Sequence, residues 1–235
     1  MKSIRLDHSA RVAVDEYQLY MFWALVVLAI MLAVRLGISF FVGDAGSIEV
    51  RSEMLLRGFS QVFALVVGIV NGVYAIRYFV QQGVTRHSFL LGGVLAGLGI
   101  AVSLQALAFV SYVVAGLLEP ILPITVVHGG GNPVLSPVVG VVLALAFFLM
   151  GWIIGFSFCR FKVLVGLATV VAGLVVLGVF VSIWGEGVRM NIMGIGVPPI
   201  DRLSVGGALA TTGVLLAGQL GALYVIVRDA PLAVE

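Results

Sequence analysis

The chain has 235 residues, of which 61% are hydrophobic and only 10% are charged, and its mean hydropathy is +1.20. These values lie far outside the range of a soluble domain of this length, so the sequence predicts an integral membrane protein. The formal net charge of +2 is too small to indicate nucleic-acid binding, and the single cysteine, Cys159, excludes an internal disulfide.

Six apolar runs are each long enough to cross a hydrocarbon core of about 30 Å at about 1.5 Å per residue. We expect spans near 19–42, 55–79, 88–118, 134–158, 163–183 and 204–227. The predicted fold is an all-α integral membrane protein with six transmembrane helices, short cytoplasmic turns and longer extracytoplasmic loops. The first run begins late and is longer than a signal-peptide core, which predicts that the amino terminus is retained.

The basic residues predict the orientation of the spans. With six spans both termini share one side, and most Lys and Arg residues fall on that side, which predicts cytoplasmic termini. They are Lys2, Arg5, Arg11, Arg77, Arg86, Arg160, Lys162 and Arg228. We expect a cytoplasmic amphipathic segment over 1–18, a six-helix domain over 19–228 and a short cytoplasmic tail over 229–235. No connection is long enough for a soluble domain, so energy must come from a partner or an ion gradient.

The stretch RYFVQQGVTRHSF, residues 77–89, interrupts the apolar sequence between the second and third spans. Gly83 can take the left-handed conformation that ends a helix, Val84 can pack back on the preceding turn, and Thr85 can cap the next helix. The pattern predicts a tight helical hairpin. Arg77, Arg86 and His87 either anchor this hairpin at lipid headgroups or have a further role.

Small residues recur four apart in several spans, which puts both members of a pair on one helix face and lets another helix approach closely. The pairs are Gly68 with Gly72, Gly93 with Gly97, Gly151 with Gly155, and more weakly Gly213 with Ala217. Two interpretations stay open for them: helix packing within the chain, or a dimer interface.

Few polar side chains fall within the predicted spans. Arg35 can anchor the first span by reaching to its outer end, with Glu53 or Glu119 as partner, or it can face a substrate. Asn71 and Gln105 are expected to form hydrogen bonds between helices, with a substrate-facing role as the alternative.

No catalytic motif is recognisable in the sequence. The segment HGGGN, residues 128–132, lacks the Lys-Ser/Thr ending of a phosphate loop, and the histidines His8, His87 and His128 are scattered. No nucleophilic set or metal-ligand cluster can be assembled from them. We therefore expect that the chain is not an enzyme and binds neither cofactor nor metal.

Three stretches on the predicted cytoplasmic side together resemble a known family. YFVQQGVTRHSFLLGG (78–93), GWIIGFSFCRFK (151–162) and YVIVRDAPL (224–232) resemble the corresponding signatures of bacterial ATP-binding-cassette permeases of the small, six-span, drug and antibiotic exporter type. The chain departs from the family pattern at Asp229, where such tails usually carry a second basic residue. DEYQLYMFW, residues 15–23, resembles the amphipathic elbow that precedes the first span.

The resemblance implies that this chain is a permease subunit in the bacterial plasma membrane, exporting hydrophobic or amphipathic cargo such as peptides, drugs or lipid-like molecules. ATP and Mg would be bound by a separate ATPase subunit, and a second permease chain, identical or homologous, would complete the pathway. The turn that rests on the ATPase would be formed by Gln81, Gln82, Gly83, Val84, Thr85, Arg86, His87 and Ser88.

Two other functions stay open at this point. The first is a membrane scaffold or sensor that transports nothing and binds a partner through its small-residue faces. The second is an integral-membrane lipid enzyme. Co-purification of an ATPase would separate the permease from both.

Overall fold

The computed structural model describes residues 2–42, 48–50, 52–118, 124–126, 135–184, 191–192, 195–196 and 204–228. A five-residue π-helix, Asn71–Ala75, joins α2 (Ser52–Val70) to α3 (Ile76–Gln81), so these elements form one helical rod. The helices are α1 (Lys2–Val42), α2 (Ser52–Val70), α3 (Ile76–Gln81), α4 (Arg86–Leu118), α5 (Leu135–Arg160), α6 (Val163–Ile183) and α7 (Val205–Arg228). Short strands in the connections are β1 (Ile48–Val50), β2 (Ile124–Val126), β3 (Asn191–Ile192) and β4 (Ile195–Gly196).

The six-span, all-α prediction is confirmed: α1, the α2–α3 rod, α4, α5, α6 and α7 are each long and apolar enough to cross a membrane. The strands occur only as short pairs in the connections that the structure describes. β1 pairs with β2 in parallel, with Ile48 opposite Ile124, which brings the connections before α2 and before α5 to the same end of the bundle. β3 and β4 form an antiparallel pair between α6 and α7. Residues 128–132 and 229–235 lie outside the described residues.

The first span differs from the sequence prediction. The helix α1 is unbroken from Lys2, and its apolar stretch begins at His8 rather than near residue 19. It runs parallel to α4: the Tyr17 hydroxyl lies 2.8 Å from the Ser103 hydroxyl, and Gly92 packs against Ser9. Residues 8–18 therefore belong to the same unbroken helix as the predicted first span and pack one face against α4.

The physical reason for this difference lies in the two faces of the helix. Ser9, Val12, Glu16 and Tyr20 recur every three or four residues and form a buried stripe. The opposite face carries exposed charges such as the Arg11–Asp15 pair, whose side chains are 4.0 Å apart. Because these charges lower the mean hydropathy of the segment, a mean taken over consecutive residues does not detect the buried stripe.

The helix α5 is the centre of the bundle. Of its apolar stretch 78% is buried, against 22% in α6 and 22% in α7. Leu143, Leu149 and Trp152 are completely inaccessible to solvent. A helix that is apolar on all sides suits this central location, because most of its faces pack against other helices. The helices α6 and α7 instead expose apolar side chains on the outside of the bundle, where lipid can contact them.

Three of the four predicted small-residue pairs lie at contacts between helices of the same chain, whereas a Cβ added at Gly213, in the weaker fourth pair, would meet nothing within 4 Å. On α2 and the π-helix, Gly68 and Gly72 meet the α5 backbone, and a Cβ at Gly72 would lie 2.6 Å from the Trp152 carbonyl oxygen. On α5, Gly151 and Gly155 likewise meet the α2 backbone at Leu65 and Ile69. The α4 pair, Gly93 and Gly97, instead faces α5 rings, those of Trp152 and Phe148.

We predict that Gly68→Ala lowers the free energy of unfolding, by about 1–3 kcal/mol, because its Cβ would overlap the Phe148 carbonyl oxygen and the two backbones would have to separate. Gly213→Ala is the matched control: it is also a helical glycine, but a Cβ added there would meet nothing within 4 Å. There, higher helix propensity should leave stability unchanged or raise it. Thermal unfolding in detergent measures both, and equal midpoints for the two variants would contradict this packing.

Candidate functional site

The hairpin between α3 and α4 is a fully hydrogen-bonded Schellman turn. The Gly83 N–H donates to the Val80 carbonyl at 3.0 Å and the Val84 N–H donates to the Phe79 carbonyl at 3.1 Å. Gly83 has φ +79°, a left-handed conformation that side chains with a Cβ rarely adopt. The turn thus ends the second span with hydrogen bonds to the Phe79 and Val80 carbonyls.

The next helix begins immediately with a side-chain cap. The Ser88 N–H donates to the Thr85 hydroxyl oxygen at 3.2 Å, and the Thr85 hydroxyl donates to the Ser88 hydroxyl at 2.9 Å. One residue later, Phe89 is fully buried, 5.8 Å from the Phe79 ring centroid and 5.5 Å from that of Trp152. The hairpin is therefore anchored directly in the core rather than suspended from two helix ends.

The hairpin presents a small polar surface to the outside. Val84 and Arg86 are half-buried and Ser88 is buried. The exposed residues of the predicted ATPase-binding turn are Gln81, Gln82, Gly83, Thr85 and His87.

Arg86 has a role that the sequence did not reveal. Its guanidinium donates to the Arg228 carbonyl at 2.6 Å, and Arg160, at the end of α5, donates to the Ile226 carbonyl at 2.7 Å. Two arginines from distant stretches thus bind the carboxyl end of α7, where free carbonyls attract positive charge. Arg86 is a contact between helices as well as a basic residue near the hairpin surface.

Some predicted residues cannot be assigned a contact. Arg35 lies in α1 and Arg77 lies in α3, but their side chains are outside the described part of the structure. The same holds for Glu53, and Glu119 lies outside the described residues altogether. Anchoring and substrate contact therefore both remain predictions for Arg35.

Gln105 connects helices, as its position in the third span suggested. Its side-chain amide donates to the Ser60 hydroxyl at 2.8 Å, joining α4 to α2, and both residues are buried. The amide also packs on Gly140 of α5, where a side chain would overlap it. These contacts leave Gln105 away from the cavity described below.

The Asn71 side chain contacts a buried acidic residue, Glu16. The Asn71 amide donates to one Glu16 carboxyl oxygen at 3.3 Å. Asn71 is completely buried and Glu16 is only 3% exposed. The other Glu16 oxygen, Oε1, and the Asn71 oxygen, Oδ1, have no hydrogen-bond partner. An acidic side chain with an unsatisfied buried oxygen is costly, so its presence within a span points to a function.

This pair lies deep within the bundle. Asn71 is ten residues before Gln81, the last residue of α3, which corresponds to roughly 15 Å along the rod. That is about half the thickness of a hydrocarbon core. Asn71 also begins the π-helix, a local widening that is frequent at functional sites.

Sequence reasoning missed Glu16, because the predicted first span began after it. The signal that could have found it is the buried stripe of α1, in which Glu16 stands four residues after Val12 and four before Tyr20. Read at the helical period, this position belongs to the inward face.

A cavity of about 880 Å³ opens beside Glu16, between α1 and the α2–α3 rod. Its floor consists of buried side chains, among them Glu16, Tyr20 and Phe63, and its walls are exposed apolar side chains such as Trp23 and Val66. The volume is in the range of small-molecule sites. Among the described residues no group of three or more His, Cys, Asp or Glu could hold a metal ion. The cavity is therefore suited to binding an amphipathic molecule.

We predict that Gly83→Val destabilises the protein by about 1 kcal/mol or more, because valine has to adopt the left-handed conformation at this position. Gly83→Asn is the control, since asparagine tolerates that conformation and the position has space around it. Thermal unfolding midpoints should follow the order wild type, Asn, Val. A valine variant as stable as the asparagine variant would show that the turn does not depend on this conformation.

Comparison with known proteins finds no matching family model, no similar curated protein and no similar solved structure.

Proposed function

We propose that this chain is the membrane-spanning permease subunit of an ATP-binding-cassette exporter for hydrophobic or amphipathic cargo. ATP and Mg are bound by a separate ATPase subunit, and a second permease chain, identical or homologous, forms the other half of the pathway. The complex works in the bacterial plasma membrane, with both termini and the hairpin on the cytoplasmic side.

One observation carries this proposal: the three stretches that resemble the exporter permeases lie together at one end of the bundle. Arg86 of the first stretch and Arg160 of the second both donate to carbonyls of the third, those of Arg228 and Ile226. These stretches are far apart in the chain, so their shared location supports a common function. A surface built from three spans is what a docked ATPase would need in order to move them together.

The hairpin geometry supports the same function. A force applied at the exposed tip reaches the core through Phe89 and reaches α7 through Arg86. A long flexible loop would absorb such a displacement, whereas a capped and hydrogen-bonded turn transmits it. The closely packed α2–α5 pair then moves as a unit, which would change the cavity between α1 and α2.

The large apolar exterior supports a permease with a partner in the membrane. α6 and α7 expose many apolar side chains, including Val163, Leu164 and Val214. Lipid or a second permease chain would cover these faces. A scaffold or sensor would require the same exterior but would have no need of a rigid docking turn.

The test is co-purification of an ATPase with the tagged chain from its native membrane. We predict that His87→Glu lowers the recovered ATPase and its cargo-stimulated hydrolysis by about threefold or more, because it puts a negative charge on the exposed turn. Stability should be unchanged, since the structure gives the His87 side chain no hydrogen bond or ion pair among the described residues. Arg86→Glu should additionally lower stability, because it removes the bond to α7.

Ser204→Asp is the matched control for His87→Glu. Ser204 is exposed at the opposite end of α7 and caps it by accepting from the Gly207 N–H, a role that aspartate can retain. This variant should keep wild-type ATPase recovery. A well-folded wild-type chain that recovers no ATPase would instead favour the scaffold or sensor. Specific ATP binding by the chain alone would also contradict the permease.

A further inference from the structure

The cavity between α1 and the α2–α3 rod has one buried acidic group in an otherwise apolar and aromatic lining. We propose that it is a binding site for a lipophilic amine, whose ammonium group pairs with Glu16 and whose apolar chain lies along the groove towards Val27. This inference deepens the proposed function, on which it rests, by naming the chemical class of the cargo.

The argument begins with the Glu16 carboxyl group. Glu16 lines the cavity, is 3% exposed, and leaves Oε1 without a hydrogen-bond partner. Asn71 satisfies only the other oxygen. A ligand that brings both an N–H donor and a positive charge would supply the missing hydrogen bond and offset the cost of the buried carboxylate.

The rest of the lining also favours a cation. Of the sixteen described residues that line the cavity, seven are aromatic and none is Lys, Arg or His. Ring faces attract cations, and Tyr20, one turn beyond Glu16, is a buried member of the floor. The second carboxylate of the lining, Asp15, is exposed and already faces Arg11 at 4.0 Å. Glu16 is thus the acidic group of the lining that is available to a ligand.

The size and shape of the site indicate an organic cation rather than an inorganic ion. A volume of about 880 Å³ is that of a drug-sized site, and Val62, Val66 and Val70 form an apolar wall along it. A metal ion would need several oxygen ligands around it, and the described residues offer no such cluster. An amphipathic molecule can place its apolar chain against the valine wall and its amine beside Glu16.

The site can be tested on the purified chain in phosphatidylcholine nanodiscs, without any ATPase. The probe is a terminally brominated undecylamine, with the brominated undecanol as its uncharged counterpart. Bromine quenches nearby tryptophan, and Trp23 lines the groove roughly 10 Å along α1 from Glu16. A Trp23→Phe variant identifies the part of the signal that comes from this groove.

We expect saturable quenching of Trp23 by the amine, with an affinity roughly tenfold or more above that of the alcohol. Glu16→Gln should abolish this preference. Gln18→Asn, two residues away at an exposed position that is not part of the lining, should change the affinity by less than about twofold. Val66→Phe fills part of the groove from an exposed position, adds no tryptophan signal, and should weaken the binding of both probes even if Glu16→Gln folds poorly.

Several results would overturn the proposal. Equal binding of amine and alcohol would mean that the groove accepts any alkyl chain, and unchanged binding by Glu16→Gln would mean that the acid does not recognise the amine. Competition by added phosphatidylethanolamine would assign the site to a lipid headgroup. Absence of quenching in a dimeric sample would assign the groove to a second copy of the chain. If the chain binds the amine but no ATPase co-purifies with it, the amine site is supported and the proposed permease function is contradicted.

Discussion

The close approach of α2 and α5 is the contact on which the rest of the structure depends. Apolar side chains gain little by leaving lipid for a helix interface, so association in a membrane relies on van der Waals contact between well-fitted surfaces. Here the fit is made by glycines on both helices, with Gly68 and Gly72 against α5 and Gly151 and Gly155 against α2. The two backbones are in contact along several turns. The α4 glycines Gly93 and Gly97 pack against the Trp152 and Phe148 rings of α5.

This contact positions both the hairpin and the cavity for which we propose functions. It fixes the α2–α3 rod. The carboxyl end of this rod continues into the hairpin, and Asn71, further back along the rod, contacts Glu16. The hairpin is connected to the core through Phe89 and to α7 through Arg86. The cavity lies on the other face of the same rod, so a displacement of the hairpin and a change in the cavity involve one rigid element.

Span number and turn chemistry could be predicted from the sequence, because both are local. Apolar length gives the spans, and Gly83 followed by Thr85 gives the hairpin with its left-handed residue and its cap. Glu16 could not be found by averaging hydropathy, because exposed charges on the opposite face of α1 masked the buried stripe. The sequence also did not reveal that Arg86 and Arg160 converge on α7, since nothing local connects residues this far apart.

The central claim is that the hairpin tip docks an ATPase on the cytoplasmic side. Photo-crosslinking from position 82 in intact cells tests it most directly, because Gln82 is exposed at the tip and an adduct forms only with what lies against it. The account predicts one major adduct whose partner sequence contains a nucleotide-binding GxxxxGK[ST] loop. Adducts with lipid alone, or with a protein of the opposite membrane face, would contradict it.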